Sequence, residues 1–312
     1  MLTNLWNCLL GSLMTWAALL TMLFPTQGGE TVQVIADPEF REGFACSTAE
    51  SSLDIVGEVA SPAAAEGAPR WKLDQWACKN EISGGDYTAD AGGYACVTDS
   101  QRVAVSWRGG GPLLTLELKA SREYDAPREE GQPWPHLLIE QRDLAARCPK
   151  LDRLKKLRLR FAAQIAYCDS HMEQADPGLH AAQVTLFFSV QSVETHDMFW
   201  FGVPVFDTRA LLVPAHMAQD GGKPDAGENF IYTPAQVEFT RRSAHSGRLL
   251  AYDADLLPYI IKGLERAYAE GYLNSSRLGD YTLTTCNLGY EMPGTYDSAF
   301  ELYRFTLDAV LK

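Results

Sequence analysis

Apolar and polar residues alternate with a period of two through most of this chain. The clearest case is 281–307, YTLTTCNLGYEMPGTYDSAFELYRFTL, which predicts two strands around a turn at Met292, Pro293 and Gly294. In the first strand Tyr281, Leu283, Thr285, Asn287, Gly289 and Glu291 share one face, and Thr282, Thr284, Cys286, Leu288 and Tyr290 the other. Cys286, Leu288 and Tyr290 suit a core. The Glu291 face is largely polar, with one carboxylate at its end. Further strands are predicted at 102–107, 113–122, 136–140, 155–168, 183–193, 197–207 and 236–240, separated by Gly, Pro and Asp turns. Only 252–268 has helical spacing, with Leu256, Leu257, Ile260, Ile261, Leu264 and Tyr268 on one side. Asp253 or Asp255 is placed to cap this helix, and Pro258 falls where a first turn tolerates it. Strand after strand with one helix before the last pair predicts an all-β fold, a sandwich of two antiparallel sheets.

Composition narrows the function. The 312 residues carry a formal net charge of −13, which argues against a nucleic-acid partner, since phosphate binding needs a basic face. An aromatic content of 11% on an acidic chain is compatible with neutral sugars, which stack on rings and bond to carboxylates. Residues 1–24 are almost continuously apolar, and no charge precedes Glu30. This predicts a signal peptide or anchor over 1–29, a secreted or cell-surface protein, and a membrane link only through that segment if it is uncleaved. The Ala/Pro/Gly run at 61–69 marks 30–70 as a lead-in or linker before a domain at 71–312. Six cysteines follow the one in the leader, an even number that predicts disulfides, with Cys78–Cys96 the best single pair across a Gly-rich loop. No CxxC or CxxH spacing occurs, so neither a metal site nor a cofactor is expected. Gly109, Gly110 and Gly111 lack the following Lys or Ser of a phosphate loop. The basic run at 150–160 defaults to a solvated face.

With these elements in order, the chain resembles the jelly-roll glucanases of glycoside hydrolase family 12, a concanavalin A-like fold, from about Trp76 to the end. The motifs that carry the likeness are WACKNEISGGDYTADAGGYACV, SWRGGG, PWPHLLIE, the Cys148-Pro149-Lys150-Leu151 loop, the single helix, and Gly289-Tyr290-Glu291-Met292-Pro293 after it. The resemblance implies a curved two-sheet sandwich with a cleft across the concave sheet. It also implies β-glucan hydrolysis by two glutamates, whose carboxyls in a retaining enzyme stand about 5–5.5 Å apart. Glu291 matches the family's acid/base position, which requires a raised pKa.

The chain departs from the family at the nucleophile. The best register of that strand is His196-Asp197-Met198-Phe199-Trp200-Phe201-Gly202, with His196 where the attacking glutamate belongs. A two-residue slip keeps the strand face and brings in Glu194. The expected catalytic residues are therefore Glu291 and Glu194. His196, Met198, Trp200, Asn287 and Trp134 are the expected sugar contacts, and a β-glucan-type polysaccharide is the expected partner. Three readings stay open: a glycan-binding protein with a replaced nucleophile, an active retaining endo-β-glucanase, or a structural sandwich without a sugar site.

Overall fold

The computed structural model describes residues 29–65, 67–221 and 227–312; the expected leader lies outside them, apart from Gly29. Seventeen strands are present: β1 (Thr31–Gln33), β2 (Phe44–Ser47), β3 (Ile55–Val59), β4 (Trp71–Asp74), β5 (Asp86–Asp90), β6 (Gly93–Val97), β7 (Gln101–Ser106), β8 (Leu113–Lys119), β9 (His136–Gln141), β10 (Leu154–Ser170), β11 (Gln183–Ser192), β12 (Met198–Asp207), β13 (His216–Gln219), β14 (Phe230–Thr233), β15 (Leu250–Asp255), β16 (Tyr281–Glu291) and β17 (Tyr296–Leu311). Among the described residues the one α-helix is α1 (Leu257–Ala269).

The strands form two sheets. One runs β15-β10-β17-β8-β7-β6-β5, with β1 also paired to β17. The other runs β13-β14-β12-β11-β16-β9-β4-β2-β3, antiparallel except where β12 meets β14 and β2 meets β4. Between them lies a single apolar core to which nearly every strand contributes, with Trp71, Phe161, Phe188, Phe199, Tyr290, Phe300 and Phe305 fully enclosed. This is the two-sheet β-sandwich that the alternation predicts. α1 lays Ile260, Leu264 and Ala267 against the core next to β10 and β12. It starts later than the spacing implies, because 250–255 extends as β15. Asp255 still helps its first turn, its Oδ1 accepting the Leu257 N–H at 3.1 Å.

Three expectations change. Residues 30–70 are not a lead-in: they supply β1, β2 and β3 and bury Phe40, Phe44 and Cys46. Their apolar side chains complete the core, which outweighs the run of small residues and prolines. The stretch 236–240 is a 3-10 turn at Gln236–Glu238 rather than a strand. The Gln236 side chain fixes it by bonding backbone at both ends, to Val213 N and Val205 O. Finally, Cys46, Cys78, Cys96, Cys148, Cys168 and Cys286 are all free thiols. The Cys78–Cys96 pair is not formed because the loop between them is no simple hairpin. A 3-10 turn at Ile82–Gly84 and β5 intervene, so Cys78 Sγ points to His136 O at 3.2 Å and Cys96 Sγ to Ile82 O at 2.9 Å. Burial raises the thiol pKa of each, which disfavours the thiolate needed for exchange. Mass mapping of unreduced protein should find both thiols free. Recovery of a Cys78–Cys96 disulfide would contradict this arrangement.

Candidate functional site

The side chains on the outer face of the nine-stranded sheet follow from strand register. Glu291 stands opposite Gln183 on β11 and opposite His136 on β9. Two rows along, Asn287 stands between Phe187 and Glu140. Phe187 pairs in turn with Gly202, and Ser189 with Trp200, on β12. Antiparallel partners directly opposite each other project to the same side. Glu291, Asn287, Gln183, Phe187 and Trp200 therefore share one face, while Cys286, Leu288 and Tyr290 point into the core, all fully buried. The rings of Phe187 and Trp200 meet edge to face, 6.4 Å apart. Met198, opposite Gln191, continues the same face.

Two of the expected residues do not join it. Glu194 lies in the tight turn between β11 and β12, closed by Ser192 N–H to Asp197 O at 2.9 Å and His196 N–H to Ser192 O at 3.0 Å. It is 75% exposed, with Lys150 3.7 Å away. His196 occupies the same turn at φ 62°. Gln191, the last face residue before that turn, is eight positions along β11 from Gln183. At about 3.4 Å per residue this places the turn some 27 Å from Glu291. The Glu291–Glu194 pair of a retaining glucanase is thus not assembled. The apolar pattern continues to Val193, but the chain reverses there, and a β11–β12 turn this short leaves no strand on which Glu194 can face inward. Asp197, just before β12, accepts the Asn274 N–H through Oδ2 at 2.9 Å.

Trp134, in the loop just before β9, lies beside the face. Its ring stacks on His136 at 5.9 Å and 24°, and the Arg128 guanidinium sits over it at 5.0 Å. Trp76 packs on His136 from another side, 5.4 Å away at 66°. Asn80 is structural, its Nδ2 donating to Ser100 Oγ and its carbonyl accepting from Gln101.

Around Glu291 a polar chain runs across three strands. Its Oε2 is 3.6 Å from His136 Nε2 and 3.4 Å from Gln183 Nε2. Gln183 Oε1 accepts from Arg209 Nη2 at 2.9 Å, and Arg209 grips Asp207 through Nε and Nη2. Those hydrogen bonds, then the Asp207 charge, raise the Arg209 pKa against its partial burial. Asp207 pairs with Gln183 across β11–β12, so it is the carboxylate two strands from Glu291, and it is already neutralised.

A second charged cluster lies on β4 and β9, and sequence reasoning missed it. Lys72 Nζ stands 2.9 Å from Asp74 Oδ1 and 2.5 Å from Glu140 Oε2, and donates to Ser52 O at 2.6 Å. Arg142 bonds Glu140 through Nε at 2.6 Å and Ser52 Oγ through Nη2 at 2.7 Å. Burial, then the Glu140 charge, push the Asp74 pKa up to about 7 against the pull of Lys72. Glu140 goes the other way. Burial acts to raise it, but hydrogen bonds and charge from Lys72 and Arg142 win and lower it. The available signal was parity: Lys72 and Asp74 alternate with core residues Trp71 and Leu73, as Glu140 does with Ile139. Beyond Lys72 and Glu140 the face opens into a cavity of about 300 Å³, also bounded by Arg70, Pro69 and Asp143. Among the described residues no group of three or more His, Cys, Asp or Glu is arranged to hold a metal ion.

No family model and no curated protein matches this chain. Solved structures with a similar layout exist. The catalytic domain of Humicola grisea Cel12A, solved with a thio-cellotetraose, is 12% identical, with a TM-score of 0.38 over 71% of this chain and 94% of that one. A family 12 xyloglucanase from Bacillus licheniformis is 8% identical, with a TM-score of 0.40 over 73% and 98%. The xyloglucanase domain of the Sinorhizobium fredii effector NopAA, solved with cellobiose, is 9% identical, with a TM-score of 0.34 over 73% and 97%.

Proposed function

We propose that this protein binds a neutral β-glucan-type polysaccharide on the outer face of the nine-stranded sheet without hydrolysing it. The supporting observation is the company of Glu291. Its in-register neighbours are Gln183 and His136, an amide and an imidazole, where retaining hydrolysis calls for a second carboxyl about 5–5.5 Å away. The rest of the face suits a sugar chain. Trp200 and Phe187 offer ring surface, and Gln183, Asn287 and Glu291 offer donors and acceptors, all of these except Trp200 and Phe187 polar and each half-buried. Glu291 then acts as a hydrogen-bond acceptor for a hydroxyl, not as an acid. The proposed site of action is outside the cell, on the strength of the apolar leader alone.

Glu291→Gln is the decisive variant. It should weaken binding of cellohexaose about three- to tenfold, the cost of turning one charged acceptor into a neutral one. The unmodified protein should release no reducing ends from β-glucan. Calorimetric titration with a reducing-sugar assay checks both. Release that is lost in Glu291→Gln would make the protein a hydrolase instead.

A further inference from the structure

The outer face of the nine-stranded sheet is not evenly open. On β12, β11 and β16 most of its large side chains are half-buried, namely Met198, Trp200, Phe187, Gln183, Asn287 and Glu291, although Ser189 and Asp207 are only 2% and 8% exposed. One strand further, on β9, accessibility collapses: His136 is 3% exposed, Leu138 6% and Glu140 7%. Polar groups at such positions are enclosed only when something lies on top of them.

Two structures do this. In the row of Glu291, Trp76 and Trp134 pack on His136, and the chain is tied down there by His136 N–H to Trp76 O and Met292 N–H to Pro135 O. In the row of Asn287, the turn joining β2 to β3 folds back over the sheet. Ser52 in that turn receives Lys72 Nζ on its carbonyl and Arg142 Nη2 on its hydroxyl. The turn is braced internally by Thr48, whose N–H donates to Asp54 O and whose Oγ1 accepts from Ser51 N–H. At its base, Gln75 Nε2 holds Ser47 O at 2.6 Å and Glu81 Oε1 holds Ala49 N–H at 2.9 Å. Backbone anchored at so many points is a fixed wall.

A polysaccharide bound through its interior has to leave a groove at both ends. A chain that lies across the strands from Trp200 toward Glu291 or Asn287 meets a wall in either row. We propose that the groove takes the end of a glycan chain, with the Ser52 turn and the Trp76/Trp134 stack as its end stop. This rests on the binding reading above and goes further, because it makes chain ends the recognised epitope. The buried cluster of Lys72, Asp74, Glu140 and Arg142 is then the mount of the stop: its cations hold Ser52 and its carboxylates hold the cations.

Stoichiometry tests this. The unmodified protein is titrated with cellohexaose and with a soluble mixed-linkage β-glucan of known chain length, and the proteins bound per chain are measured by sedimentation equilibrium. The expected result is one protein per hexaose and no more than one per polymer chain, however long. At equal glucose content, the hexaose should compete at least tenfold better than the polymer. A number per polymer chain that rises in proportion to chain length overturns the end stop while leaving the binding reading intact. Failure to bind either probe overturns the binding reading and the end stop with it. The double substitution Ser52→Gly with Arg142→Ala removes the hydroxyl–guanidinium half of the clasp, leaving only Lys72 on the residue-52 carbonyl, and by loosening the turn should raise the number bound per polymer chain above one. If that variant does not fold, the unmodified protein's stoichiometry still decides.

Discussion

Lys72→Met should destabilise the fold by about 3–5 kcal/mol at pH 8, the usual cost of leaving buried charges without their partner. Lys72 is the only cation that touches both Asp74 and Glu140 among the described ion pairs, and their side chains are just 3% and 9% exposed. The methionine fills the space but leaves two carboxylates facing each other. At pH 5 the loss should be smaller, since protonation relieves the repulsion. The sign follows from the shifts in the unmodified protein. Asp74 has a folded-state pKa of about 7 against an ordinary 3.8. Its contribution to stability is therefore full at low pH and is lost as the pH rises to about 7. Glu140, shifted down, contributes stability above the ordinary carboxylate range that is lost as the pH falls. Without Lys72, Asp74 loses the attraction that opposes its upward shift, while Glu140 keeps the hydrogen bond and charge of Arg142. Urea unfolding at the two pH values measures this. An equal loss at both would mean that methionine packing, not charge, sets the cost.

Gly289→Ala should cost roughly 2–4 kcal/mol, through positive-φ strain and a main-chain collision together. Gly289 has φ 150°, and a Cβ there would stand 2.2 Å from the carbonyl oxygen of Leu137 and 2.9 Å from Leu138 Cα. Both are main-chain atoms of β9, which cannot turn aside as a side chain can. Relief requires β16 and β9 to part, and this pairing holds Glu291 opposite His136. The same substitution should thus reduce glycan affinity even where the protein remains folded. Thermal unfolding and calorimetric titration of the variant measure the two effects, and a change in melting temperature under 2 °C would show that β9 yields freely.

Much of the sandwich was legible because apolar alternation is a direct record of a one-sided strand. The alternation placed Glu291, Asn287, Met198 and Trp200 on faces that the register brings together. It failed where pairing changes parity. Tyr281 and Leu283, grouped by spacing with the polar face, are fully buried. A bulge between the Ser189–Thr285 and Val190–Leu283 pairs turns that end of β16 inward, and no local pattern announces it. Glu194 and His196 failed for a related reason: period two assumes a continuing strand, and the chain reverses through the turn that holds both. The Lys72 cluster was hidden by length. A four-residue strand, β4, is too short for alternation to stand out. The wall over β9 depends on Ser52 and Arg142, ninety positions apart, a contact that only the fold creates.

On the binding reading proposed above, the register around Glu291 also says what separates this sheet face from a retaining hydrolase. Neither His196 nor Glu194 is the place to begin, since both sit beyond the end of the strand. The position already facing Glu291 is 183, where β-pairing sets Cβ atoms about 4.5–5.5 Å apart. It holds an amide that differs from a carboxylate by one NH2 for one oxygen. Arg209 already bonds that amide oxygen, and as a cation would steady a carboxylate in its place. In the geometry of this sheet, a second acid is a single exchange at Gln183 away.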